Sequence, residues 1–131
     1  MGGRKAVSAR LIAGVGCRRD CPAETIVAVV RFACGDRTVH ALACPAWKAA
    51  AIGVRAAAER LGIALLAVER DALAAVQDRC VTRSAHAEAA VGIASVAEGC
   101  ALAAGGAGAR LLVPRVTGNG ATCAVAEAPS S

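Results

Sequence analysis

Apolar positions in this chain come in short runs, each closed by glycine, proline or charge. Leu11-Ile12-Ala13 with Val15 ends in Gly14 and Gly16, and Cys21-Pro22-Ala23-Glu24 then opens a periodic segment. This predicts a buried strand, a tight glycine turn and a helix start within residues 11–24. Pro22 suits the first helical position, where its missing N–H costs nothing. Ile26, Val29, Val30 and Ala33 fall on one face of a helix from about Pro22 to Cys34, which Gly35 closes. A second strand is predicted over residues 38–43. A second helix, opened by Pro45, is predicted from Ala46 to Leu61. Its apolar stripe of Trp47, Ala51, Val54, Ala58 and Leu61 favours a core position for Trp47 over a stacking platform, and leaves Lys48 in water as the better ligand candidate. Gly62 caps that helix, and the apolar run Ile63 to Val68 reads as a fully buried third strand.

A short helix from Arg70 to Gln77 comes next. Residues 78–88, including His86, are polar and without period, so they read as an exposed loop. Ser95-Val96-Ala97-Glu98 has the capping-box pattern, with Ser95 and Glu98 as mutual caps of a helix that ends before Gly105-Gly106. Arg110–Val113 and Thr122–Ala126 are predicted as strands joined through residues 114–121, which contain the hairpin signal Asn119-Gly120. The alternation predicts an α/β fold of three layers, α/β/α. Its sheet would be mostly parallel and open, of about five strands, ending in an antiparallel hairpin that supplies one antiparallel edge strand. Residues 1–10 read as a flexible leader, 11–127 as a single domain and 128–131 as a flexible tail.

Composition narrows the partners. Of 131 residues, 56% are hydrophobic, 19% are charged and only Phe32 and Trp47 are aromatic, so the core must be close-packed from small side chains. The net charge of +5 comes mainly from arginine, which pairs well with carboxylate or phosphate. The arginines are scattered and lack aromatic stacking platforms, which argues against nucleic acid. No apolar run approaches the roughly 20 residues of a membrane span. Seven cysteines without zinc-type spacing read as reduced, mostly buried thiols of a cytoplasmic protein. Neither a metal nor a cofactor is expected.

In such sheets ligands bind beyond the carboxyl ends of the strands. There the topology would gather Gly14, Gly16, Cys17, Arg18 and Arg19 with Lys48 and the closing hairpin. Two arginines at a helix N-terminus oppose the macrodipole, and a bound anion would offset that. The glycine pair lacks the third glycine and the distal acid of a dinucleotide fingerprint, which moves the expected ligand from phosphate to carboxylates. No Ser–His–Asp or Cys–His arrangement is visible. A nucleophilic Cys17 would need a base, and neither His40 nor His86 is placed to serve.

Four stretches resemble the cobalamin-biosynthesis family that contains CobE and the C-terminal domain of CbiG. Residues 14–19, GVGCRR, are similar to the family's opening motif, and residues 91–98, VGIASVAE, to its later helix start. Leu42-Ala43 with Lys48, and the tail from Leu111 to Ala126 with Thr122, match less distinctively. Asp20 stands where the family usually has glycine, Cys21 where it has Ser or Thr, and Arg115 where lysine is common. The resemblance implies a role in building the corrin ring, with an acidic corrinoid or precorrin as ligand. It points to Gly14, Gly16, Cys17, Arg18, Arg19, Lys48, Arg115 and Thr122 as binding residues and assigns no catalytic residue. Full-length CbiG opens a precorrin lactone and releases acetaldehyde, so a hydrolase is one alternative. Docking on another pathway enzyme is a second.

Overall fold

The computed structural model describes residues 10–83, 93 and 95–129. The leader up to residue 9, His86, the first residues of the VGIASVAE motif and the last two residues lie outside them. Five strands form one sheet: β1 (Arg10–Cys17), β2 (Ala41–Pro45), β3 (Ala64–Val68), β4 (Arg110–Gly118) and β5 (Ala121–Ala128). Among the described residues four α-helices cover it: α1 (Ala23–Cys34), α2 (Ile52–Leu61), α3 (Arg70–Ala75) and α4 (Val96–Gly105). The strand order is β3-β2-β1-β5-β4. β1 pairs parallel with β2, and β2 with β3. β5 is antiparallel to both β1 and β4. The expected antiparallel strand is therefore interior, and its hairpin partner β4 forms the edge.

Alternation along β1 separates the layers. Leu11, Ala13 and Val15 join Ile26, Val30 and Val54 in the core beneath α1 and α2. Ile12 points the other way, into a second cluster with Leu73 and Cys100 under α3 and α4. Gly14 lies on that second side, where a Cβ would overlap the Ala97 carbonyl oxygen, so glycine lets α4 sit directly on the strand.

The helix-ending glycines are in place: Gly35 and Gly62 have φ of 60° and 69° at the ends of α1 and α2. Pro22 is the N-cap of α1, one residue outside the helix, and its carbonyl accepts the Ile26 N–H. Four other expectations need correction. The second strand begins at Ala41 and runs to Pro45, because the pairing with β3 continues to the proline. The second helix is broken. Ala46–Lys48 form a single 3₁₀ turn, Ala51 is extended, and α2 begins at Ile52. Residues 46–61 are nearly all good helix formers, so tertiary placement has overridden local propensity. β3 is an edge strand in which Val68 alone is buried, because a short apolar run carries no information about its neighbours. The hairpin loop shrinks to Asn119-Gly120, since β4 continues through two bulges to Gly118. Pro114 stands on that outer edge, where no ladder donor is needed.

Candidate functional site

Residue alternation delivers Cys17 to the α1/α2 face at the carboxyl end of β1. The chain then turns sharply. The Arg18 N–H donates to the Gly120 carbonyl at 3.1 Å, tying this turn to the hairpin. Gly120 has φ of +92°, and a Cβ there would meet the Arg18 side chain, so the hairpin turn leaves room for the Arg18 stem. Asp20 has φ of 59°, the left-handed region that favours glycine and that Asp tolerates better than most residues.

Beyond this turn lies a cleft of about 740 Å³ between the starts of α1 and α2. Arg18, Arg19, Lys48 and Arg60 line it, against the two carboxylates of Asp20 and Glu24. Among the described residues, none of these four cations has an ion-pair partner. Pro22 and Ala51, the N-caps of α1 and α2, offer no side-chain cap, so both helices present uncapped N–H groups where their first residues line the cleft. Those dipole ends add positive potential to four full charges. Exposed apolar groups share the wall: Trp47 is 41% exposed and Ile52 87%. Trp47 is therefore not the core residue predicted from the helix stripe. The break at residues 49–51 rotates it off that stripe, and the Arg70 guanidinium stands 4.9 Å from its ring centroid.

All seven cysteines are free thiols, with Cys17 and Cys80 half-buried and the others buried. Burial pushes the Cys17 thiol up from its ordinary value, and nearby Lys48 only partly opposes this. Cys17 and Cys21 are in hydrogen-bond contact, and burial also raises Cys21. Cys44, deeper behind them, is pushed up to about 11, by burial and then by Cys17. Among the described residues no group of three His, Cys, Asp or Glu side chains is arranged to hold a metal, and no helix is long and apolar enough to cross a membrane.

The other predicted site residues lie elsewhere. Gly14 and Gly16 face α4. The Thr122 hydroxyl donates to the Gly16 carbonyl at 3.3 Å, fastening β5 to β1. Arg115 sits in the β4 bulge, where its N–H donates to Glu98 Oε2 at 3.0 Å. Gly14, Gly16, Arg115 and Thr122 are absent from the cleft wall. Of the predicted residues, Cys17, Arg18, Arg19 and Lys48 line it. Arg60 and Ile52 were missed, because an exposed residue on α2 gains meaning only from the position of α1.

Ser95 and Glu98 are not mutual caps. The Ser95 N–H donates to Gln77 Oε1 at 2.9 Å, and the Ser95 hydroxyl reaches Glu98 Oε1 at 3.3 Å. Glu98 is fully buried. Its Oε1 also accepts the N–H groups of Val81 and Thr82, each at 2.8 Å. Burial pushes its carboxyl up, but the N–H donors of Arg115, Thr82 and Val81 outweigh this and hold it below the usual value.

Comparison with known proteins fits this architecture. The family described as "Cobalamin synthesis G C-terminus" matches residues 11–126. The crystal structure of CobE, a protein from the cobalamin (vitamin B12) biosynthetic pathway, superimposes with a TM-score of 0.85 at 32% identity, covering 94% of each chain. Cobalamin biosynthesis protein chiG from Agrobacterium tumefaciens gives 0.69 at 36% identity, over 88% of this chain and 96% of that one. A cobalamin biosynthesis protein G homolog from Sulfolobus solfataricus shares the fold at 19% identity, with 91% of this chain spanning 37% of that one. No curated protein sequence matches the chain. With most of its length matched by the family and by two relatives above 30% identity, the chain belongs to the CobE and CbiG C-terminal family of cobalamin biosynthesis proteins.

Proposed function

We propose that this chain binds an acidic corrin-ring intermediate or product, and holds or delivers it within cobalamin biosynthesis. The observation that carries this reading is the cleft at the carboxyl ends of the parallel strands. It combines four unpaired cations, two uncapped helix starts and an exposed apolar wall. Corrin intermediates carry carboxylates around an apolar ring, and arginine binds carboxylates in bidentate fashion. Binding is favoured over hydrolysis by the chemistry near the cleft. Burial pushes the Cys17 thiol above its ordinary value, which disfavours a thiolate nucleophile. His40 lies at the amino end of the sheet, where its Nδ1 accepts the Leu11 N–H at 3.0 Å.

Visible-absorbance titration with hydrogenobyrinic acid, a corrin with free carboxylates, tests the reading. A saturable spectral change is expected, weakened by raised ionic strength. The double variant Arg18→Ala/Arg19→Ala should lose affinity at unchanged stability, since both side chains end in solvent. No change with the corrin at tens of micromolar overturns the proposal.

A further inference from the structure

Trp47 is the single tryptophan of the chain, and the fold leaves much of it open. An indole that is 41% exposed at the wall of a cleft offers part of its ring surface to whatever the cleft binds. Here the 3₁₀ turn Ala46–Lys48 fixes the residue at the carboxyl end of β2. Arg70, at the start of α3, places its guanidinium over the ring, which restrains the orientation of the indole. Lys48, the next residue, joins the cationic part of the same cleft. Ile52 stands 87% exposed on the same wall, at the first position of α2. A ligand of carboxylates alone would use Arg18, Arg19 and Lys48 and leave the indole and the isoleucine idle. A conjugated, largely apolar macrocycle with carboxylates on its rim would engage both sets.

Resting on the anion-site reading of this cleft, we propose that Trp47 is a specificity-determining residue whose exposed ring surface stacks on a conjugated macrocycle, selecting ring-shaped polycarboxylates over open-chain ones. The test measures dissociation constants of the full chain and of its Trp47→Leu and Trp47→Phe variants for hydrogenobyrinic acid, with 1,2,3,4-butanetetracarboxylate as a ringless competitor. Trp47→Leu should weaken binding of the corrin about tenfold or more, as loss of a stacking partner does. Trp47→Phe should regain most of it, and the competitor should act equally on wild type and Trp47→Leu. Unchanged corrin affinity in Trp47→Leu overturns the inference and leaves the anion site standing. So does a loss that phenylalanine fails to restore, or one shared equally by the competitor, since Trp47 would then act through the fold. A wild-type chain that binds no corrin overturns the anion-site reading itself, and the inference with it.

Discussion

Glu98 accepts the backbone N–H of Arg115 at 3.0 Å while its second oxygen holds the N–H groups of Val81 and Thr82. One buried carboxylate thus joins α4, the β4 bulge and the segment after α3. Glu98→Gln removes the charge and turns one acceptor into a donor facing N–H groups. It should cost about 2–4 kcal/mol, read from urea unfolding. The folded-state value of Glu98 is depressed, so its stabilisation is present above the unfolded value of 4.5 and disappears as pH falls through the lower folded value. Wild-type stability should drop in that acid window, and the variant should lose that part of the slope.

Gly53 begins α2 directly on the start of α1. A Cβ on Gly53 would overlap the carbonyl oxygen of Cys21. In a free helix Gly→Ala would stabilise by about 1 kcal/mol. Here the clash is with rigid backbone, so Gly53→Ala should destabilise, by about 1–3 kcal/mol net. A melting temperature above wild type would show that α2 can slide away.

Asp20 occupies a left-handed backbone position at φ of 59°. Asp20→Gly relieves a strain of about 1 kcal/mol, partly offset by the greater freedom of glycine in the unfolded chain. A small rise in melting temperature is expected. The same change removes one of two carboxylates from the cleft, so corrin affinity should rise with it.

Thiol accessibility offers a direct map of the site. Iodoacetamide should label Cys17 and Cys80 before the five buried cysteines, read by peptide mass spectrometry. Burial raises both thiols above the ordinary value of 9.0, so their labelling should keep accelerating as pH passes that value. Bound corrin should protect Cys17, on the cleft wall, and leave Cys80 reactive.

The ion pair Arg110–Glu127 makes a contrast with Glu98. It spans 2.9 Å on the surface, with Arg110 79% exposed. Glu127→Ala should therefore lower the unfolding free energy, read from urea denaturation, by less than about 1 kcal/mol.

Much of this was readable from the chain because its determinants are local. The α1 stripe, the stops at Gly35 and Gly62 and the turn at Asn119-Gly120 each depend on a few neighbouring residues. The cationic turn at Arg18 and Arg19, and Lys48 beyond β2, followed from strand ends and so reached the right cleft. What escaped depends on distance. Glu98 finds Val81 and Arg115 each 17 residues away. β3 is an edge strand because β5 inserts on the other side of β1, which nothing within residues 63–68 encodes. Trp47 leaves the core because the helix breaks before Ile52, and Gly53 then packs on the Cys21 carbonyl, an approach between residues 32 positions apart.

The glycine beneath α4 carries a consequence for how such a chain can vary. At Gly14 the helix backbone rests on the strand with no room for a single added carbon. A library of random substitutions should tolerate change along the cleft rim, where side chains end in water, and be purged at this seam. The seam beneath α4 is thus the fixed part of this fold, and the solvent-facing rim of the cleft is the part that could be refitted to a new ligand.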